Sequence, residues 1–174
     1  MIEIKLIEEN KGDFMELILL GDEPESMVEK YLNLSCMFAL YDEELKGICL
    51  VTFPEEKVFE IKNIAVYPNE QRKGYGKILM EYAIHYFRYS ANAMLVGTVE
   101  REDIISFYEA CGFTYSHKVK NFLIDNYDHP ILKNGKQLVD MIYMKKDMKH
   151  RNTLNKKDII LHPADNKDQD EISD

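Results

Sequence analysis

The stretch Gln71-Arg72-Lys73-Gly74-Tyr75-Gly76-Lys77 places three cations and two glycines between an apolar run ending at Val66 and a helical apolar pattern beginning near Ile78. A helix start of this kind carries unpaired main-chain N–H groups and the positive end of the helix dipole, so it favours an anion. Gly74 and Gly76 allow close backbone approach and a positive φ where one is needed. Arg72, Lys73 and Lys77 add positive charge to an otherwise acidic chain. The chemistry is that of a phosphate or diphosphate site. Two common phosphate ligands do not fit the pattern. A dinucleotide loop needs a third glycine where Leu79 stands, and a nucleoside-triphosphate loop needs a glycine in place of Gln71 and a hydroxyl residue in place of Ile78.

The elements that must position this loop follow from periodicity. Residues 2–8 alternate as a strand, 13–20 have helical spacing, and Pro24 opens a second short helix. Strands over 37–41, 47–53 and 58–66 are joined by short turns and predict antiparallel hairpins. Residues 76–89 carry the stripe Ile78, Leu79, Tyr82, Ala83, Tyr86, Phe87 of an amphipathic helix. A strand over 94–99, a helix over 104–111 stopped by Gly112, and strands over 113–124 and 138–144 complete the order β-α-α-β-β-β-α-β-α-β-β. The passage through 58–99 predicts a parallel pair, so the fold class is a mixed, mostly antiparallel α/β sheet flanked by helices. Residues 1–148 are read as one domain and 149–174 as a polar acidic tail, in which Ile159-Ile160-Leu161 could dock. Residues 125–137 form a turn-rich insert. There Asp125 and Asp128 could meet a cationic amine or serve only solubility, and His129 reads as solvent-exposed.

Gln71-Arg72-Lys73-Gly74-Tyr75-Gly76, after the fourth strand and opening the third helix, resembles the Gln/Arg-x-x-Gly-x-Gly/Ala signature of the Gcn5-related N-acetyltransferases. Ile105-Ser106-Phe107-Tyr108-Glu109-Ala110-Cys111-Gly112-Phe113 resembles that family's later motif, a helix with Phe-Tyr ending in Gly-Phe. The resemblance implies the acyl-CoA N-acyltransferase fold and acetyl-coenzyme A as co-substrate, with no metal. The segment Gln71, Arg72, Lys73, Gly74, Tyr75, Gly76 and Lys77 would hold the pyrophosphate. The main chain of Ile64, Ala65 and Val66 would pair with the pantetheine arm, and the thioester would lie where the fourth and fifth strands diverge. Tyr108 would protonate the departing thiolate. An attacking amine must lose a proton, and Glu60, fourteen residues before Gly74, stands where histone-type members place a catalytic glutamate. Lys62, two residues on, could instead simply pair with it. In one respect the chain departs from the pattern: Val99-Glu100-Arg101-Glu102-Asp103 lacks the Asn with which many relatives contact the cofactor.

The resemblance implies acetyl transfer to a primary amine in a ternary complex, with a small-molecule acceptor preferred because the insert is long enough to form a lid. A peptide or protein amine, and a coenzyme-binding sensor without turnover, are the alternatives. Acidic residues outnumber basic ones by 31 to 22, for a net charge of −9. That balance argues against nucleic acid as a partner. No segment has the ~20 apolar residues of a membrane span, and the N-terminus has no signal-peptide pattern. Cys36, Cys49 and Cys111 sit among apolar neighbours as reduced thiols, which points to the cytoplasm, and a monomer or homodimer is expected. The tyrosines at 82, 86 and 89 read as packing surface.

Overall fold

The computed structural model describes residues 1–148. The alternation of Ile2–Ile7 forms β1, followed by a 3-10 turn over Lys11–Phe14 and helix α1 over Met15–Gly21. Helix α2 is Glu25–Glu29, entered from Pro24. Strands β2 (Cys36–Asp42), β3 (Glu44–Glu55) and β4 (Val58–Val66) form an antiparallel meander joined by tight turns, with Glu43 and Lys57 at positive φ. Helix α3 (Tyr75–Tyr86) returns the chain so that β5 (Ala93–Thr98) lies parallel to β4. Helix α4 (Glu102–Ala110), β6 (Thr114–Val119), α5 (Phe122–Asn126), β7 (Ile131–Lys133), β8 (Lys136–Leu138) and β9 (Met141–Asp147) complete the order. The main sheet runs β1-β2-β3-β4-β5-β9-β6, and every pairing except β4–β5 is antiparallel. This is the mixed sheet that the periodicity predicts.

Helices cover the two faces with separate cores. On one face, Leu79, Met80 and Ala83 of α3 and Tyr108 of α4 pack against Phe38, Leu40, Cys49, Val51 and Val96. On the other, Leu17 and Ile18 of α1 and Val28 of α2 pack against Met37, Ile48, Leu50 and Ala65. Tyr82 and Tyr86 set their rings against Phe38, so those two are packing surface as read; Tyr89 is exposed.

Strand β4 contains an irregularity that matters for the site. Leu50 faces Asn63 and Val51 faces Ile61, so Lys62 is an extra residue, a β-bulge. Ile61 consequently packs with the α3 core while Asn63, two residues on, bonds to Ile18 in α1. A regular strand would put both on one face.

Two sequence expectations need correction. The strand expected over 113–124 ends at Val119, because Asn121 takes φ 60 and turns the chain into α5, where Leu123 is buried and its N–H bonds to the Val139 carbonyl. Within the turn-rich insert, Asn134 (φ 51) and Gly135 (φ 75) form the tight turn of the β7–β8 hairpin. That hairpin uses Lys136–Leu138, so the last long strand starts at Met141. Gly112, at φ 91, stops α4 as expected. Among the described residues no helix is long and apolar enough to cross a membrane. The tail from 149 onward, with its 159–161 segment, lies outside the described residues.

Candidate active site

Strands β4 and β5 pair only over Val58–Ile61 and Ala93–Val96; beyond Ile61 they separate. On its other edge β4 remains paired to β3 through Val66. The main-chain groups that β4 turns toward β5 between Ile64 and Val66 are therefore left without a strand partner, the Val66 carbonyl taking the Gln71 side chain instead. A cleft of about 1150 Å³ opens there, lined by Ile61 to Val66 on one wall and Val96 to Val99 on the other. Parallel pairing followed by divergence is what an extended ligand needs to join a sheet from within.

The loop from β4 to α3 forms one end of this cleft. Its shape is set by three local ties. Gln71 Nε2 donates to the Val66 carbonyl at 3.1 Å, capping the end of β4. Glu70 accepts from Lys46 at 3.0 Å and Lys73 at 2.8 Å, and these bonds, Lys73 first, hold its carboxyl below the usual range. Tyr75 Oη donates to Asp42 at 2.8 Å, anchoring the first turn of α3 to β2 and holding the Asp42 carboxyl low. Arg72 (φ 66) and Gly74 (φ 91) turn the chain so that α3 points its N-terminus at the cleft. The first helical bond is Ile78 N–H to the Gly74 carbonyl, which leaves the N–H groups of Tyr75, Gly76 and Lys77 without intrahelical acceptors.

The two glycines have different duties. Gly74 needs its positive φ, with open space where a Cβ would be. Gly76 lies at ordinary helical geometry, and a Cβ there would meet the Phe107 ring at 3.5 Å. Gln71, Arg72, Gly74, Tyr75, Gly76 and Lys77 all line the cleft; Lys73 does not, its ammonium being committed to Glu70. Unpaired N–H groups, a left-handed glycine and the nearby Arg72 and Lys77 side chains fit a bound pyrophosphate.

Tyr108 also lines the cleft, only 7% exposed, its ring edge-on to Phe107 and Phe113. Burial pushes its phenol well above the ordinary value, so the hydroxyl stays protonated. Glu60 is not among the lining residues. It faces Leu95 in the register one position before the strands part. Burial raises its carboxyl, partly opposed by Lys62. The same carboxyl helps to raise Tyr143, on β9, to about 12, after the larger effect of burial. Lys62 does not form an ion pair with Glu60 among the described contacts; its ammonium lies over the Tyr31 ring at 5.5 Å. Arg101, in the segment that lacks the expected Asn, pairs with Asp103 at 2.8 Å, and both residues line the cleft.

The opposite end of the cleft was not visible in sequence. Leu19, Leu20, Gly21, Asp22 and Glu23 from the end of α1 face Leu123, Tyr127 and Ile131 from the insert. Asp22 accepts from Tyr31 Oη at 3.2 Å and from Tyr127 Oη at 2.7 Å, and Asn63 Nδ2 donates to both Tyr31 Oη and the Ile18 carbonyl. The only sequence signal for this network is a carboxylate at a helix end before a proline, which is common in turns. Asp125 and Asp128 do not reach the cleft. His129 is exposed and pairs with Asp128 at 2.7 Å, in keeping with its solvent-facing reading. Among the described residues no group of His, Cys, Asp and Glu has the arrangement of a metal site.

Comparison with known proteins agrees with this geometry. The model of the acetyltransferase (GNAT) family matches residues 5–113. An uncharacterized N-acetyltransferase of Bacillus subtilis strain 168, YvbK, is 32% identical over 150 residues, spanning 84% of this chain and 97% of the relative. A Bacillus subtilis acetyltransferase solved in complex with CoA superposes with a TM-score of 0.78 at 31% identity, covering 84% of this chain and 99% of that one. A GNAT family acetyltransferase from Elizabethkingia anophelis with acetyl-CoA bound gives 0.79 at 28% identity, covering 84% and 97%. With both motifs, the divided sheet and these relatives in agreement, the chain belongs to the GNAT family of acetyltransferases.

Proposed function

We propose that this enzyme transfers an acetyl group from acetyl-coenzyme A to a primary amine of a small molecule, by direct attack while both substrates are bound. The observation that carries the reading is the opening of β4 from β5 after Ile61, beside the unpaired N–H groups of α3. Related structures contain CoA or acetyl-CoA. In this reading the pyrophosphate rests on the N–H groups from Arg72 to Lys77, while the side chains of Gln71 and Lys73 shape the loop through Val66 and Glu70. The pantetheine arm pairs with the free edge of Ile64, Ala65 and Val66, which brings the thioester to the fork of the sheet.

Alignment of amine and thioester supplies much of the acceleration. Glu60 accepts the ammonium proton; because it lies outside the lining, the proton passes through an intervening water. Its raised pKa brings it nearer to the range in which a base works at neutral pH. A main-chain N–H at the β4 bulge is suited to the oxyanion, and Tyr108 Oη gives its proton to the departing sulfur as the C–S bond breaks. A small acceptor is favoured by the insert, whose Tyr127 is tied to Asp22 across one end of the cleft.

The test is thiol release from acetyl-coenzyme A in the presence of a panel of small amines and amine-bearing peptides. Turnover with small amines, with kcat reduced in Glu60→Gln and Tyr108→Phe at unchanged coenzyme affinity, is the expected outcome. Faster turnover of peptides than of any small amine would move the acceptor class. Coenzyme binding without turnover on either class would favour the sensor alternative.

A further inference from the structure

What faces the Glu60 carboxyl is set by the sheet. Ile61 of β4, Val96 of β5 and Met144 of β9 all pack into the core beneath α3. Side chains alternate along a strand, so their neighbours Glu60, Leu95, Gly97 and Tyr143 take the opposite face. The register sets these in a row across the strands. Glu60 faces Leu95 on β5, Gly97 two residues on faces Tyr143 on β9, and Tyr143 faces His117 on β6. Gly97 lets the row close. A Cβ there would stand 3.2 Å from both Cε1 and Cζ of Tyr143, so the ring lies across β5, the strand between β9 and β4. The phenol oxygen is attached to Cζ and is carried over with it. Behind the ring, His117 stacks with its plane 3° away and the centroids at 4.9 Å. Gly97 lines the cleft, whereas Tyr143 and Glu60 do not. The hydroxyl is thus placed at the cleft wall, on the face of the sheet that carries Glu60.

A second, independent observation concerns hydrogen bonds. Among the described residues neither Tyr143 Oη nor the Glu60 carboxyl has a protein partner, and neither is sealed from water. Polar groups in that position are satisfied by water, and one water can serve both. The two groups also sense each other, since the Glu60 charge adds to burial in raising the Tyr143 phenol to about 12 and keeping it a neutral donor. The remaining charges around Glu60 are engaged elsewhere. Lys62, whose charge partly offsets the burial of Glu60, lies over the Tyr31 ring, and Lys145 of β9 turns to Asp147 at 3.8 Å. Thr52, the β3 residue opposite Glu60, carries no charge, and the His117 ring bonds to Ser116 at 3.0 Å.

Resting on the acetyltransferase reading, we infer that Tyr143 is a positioning residue: its hydroxyl holds the water that passes the acceptor's proton to Glu60, and His117 holds the ring in place. The water accepts from the acceptor ammonium and from Tyr143 and donates to Glu60, which uses both its lone pairs and one hydrogen. The proton count closes without the phenol changing state. The ammonium gives one proton to the water as the water gives one to the Glu60 carboxylate, and the neutral amine then attacks the thioester. Tyr143 donates its hydrogen bond throughout and keeps its proton. A tyrosine that served only as packing would contribute its ring and nothing through its oxygen.

Tyr143→Phe tests this in the full chain, because it removes the oxygen and leaves the ring, the stack and the contact with Gly97. With the fastest amine of the panel above, kcat should fall by about tenfold or more at unchanged KM and coenzyme affinity. In the Glu60→Gln background the same change should have no further effect, since both groups serve one proton path. A readout that needs no acceptor is the titration of Glu60, followed by NMR of labelled glutamate carboxyls, with Glu60→Gln assigning the signal. Loss of a donor to the carboxylate should move that titration to higher pH in Tyr143→Phe. His117→Ala, which frees the ring and admits solvent, should move it to lower pH. A Tyr143→Phe variant that keeps the natural kcat, adds its loss independently to that of Glu60→Gln, or leaves the Glu60 titration in place would overturn the inference. Should Tyr143→Phe fold poorly, as read by its melting curve, His117→Ala is measured in its place, and an unmoved titration there would overturn it equally. The underlying reading fails differently: Glu60→Gln would turn over at the natural rate, or acetyl-coenzyme A would not bind.

Discussion

Replacing each loop glycine by alanine should move stability in opposite directions. At Gly74 the backbone φ is 91°, so an alanine there is held in the left-handed region. That strain costs about 1–2 kcal/mol. At Gly76 the backbone is helical, and the added methyl would make ordinary contacts with Phe107 at 3.5 Å and Val66 at 3.8 Å. Exchanging glycine for alanine in a helix gains up to ~1 kcal/mol. For a domain of this size each kcal/mol shifts the melting temperature by roughly 2–4 °C. Gly74→Ala should therefore melt lower by roughly 2–8 °C, and Gly76→Ala should melt level with the natural chain or up to about 4 °C above it. Coenzyme affinity should separate the variants again. Relaxation of the strained turn in Gly74→Ala displaces the N–H groups of Tyr75 to Lys77, and a loss of about tenfold, roughly 1.4 kcal/mol, is expected. The Gly76 methyl would rest on Phe107 and Val66 without moving the loop backbone, so Gly76→Ala should bind as the natural chain does. Differential scanning calorimetry with and without acetyl-coenzyme A reads both quantities. A Gly76→Ala variant that melts several degrees lower, or a Gly74→Ala variant that melts no lower than the natural chain, would refute the division of duties.

Other outcomes follow from the same geometry. Tyr108→Phe should lower kcat by about a hundredfold or more, the usual scale for a positioned acid, while isothermal titration shows coenzyme affinity nearly unchanged. Glu60 has a folded pKa raised by burial, so its ionisation opposes folding as pH rises above the ordinary carboxylate range. Glu60→Gln should accordingly melt higher than the natural chain at pH 8, with the advantage shrinking as pH falls through the carboxylate range. The rate of the natural enzyme should rise with pH across that same raised pKa, and a flat profile would remove Glu60 as the base. Asn63→Ala removes the amide that ties α1 to β4, and it should cost about 1–3 kcal/mol in chemical denaturation.

The parts of the fold legible in the chain were those determined by local pattern. Alternation over 2–8, the hairpin turns between 37 and 66 and the stripe from Ile78 to Phe87 each identify an element without help from distant residues. The loop from Gln71 to Lys77 was readable because its chemistry is contiguous. What escaped was determined by pairing across the chain. The bulge at Lys62 leaves no trace in the order Glu60-Ile61-Lys62-Asn63, since it exists only through the register with Leu50 and Val51. It nonetheless turns Asn63 toward α1, and Lys62 lies over Tyr31 rather than ion-paired with Glu60. The contact between Asp22 and Tyr127 spans 105 residues and joins a helix end to an insert, neither of which announces a partner. The strand expected through Ile124 failed at Asn121, where a left-handed residue outweighs the apolar run that follows.

The most direct measurement is calorimetric titration of the full chain with acetyl-coenzyme A, with NADH and ATP as controls. All three ligands carry a pyrophosphate group or phosphates, but only the first has a pantetheine arm to pair with the free edge of Ile64, Ala65 and Val66. The account predicts saturable binding of acetyl-coenzyme A alone, weakened in Gly74→Ala. Absence of binding at millimolar ligand, or equal binding of all three, would contradict it.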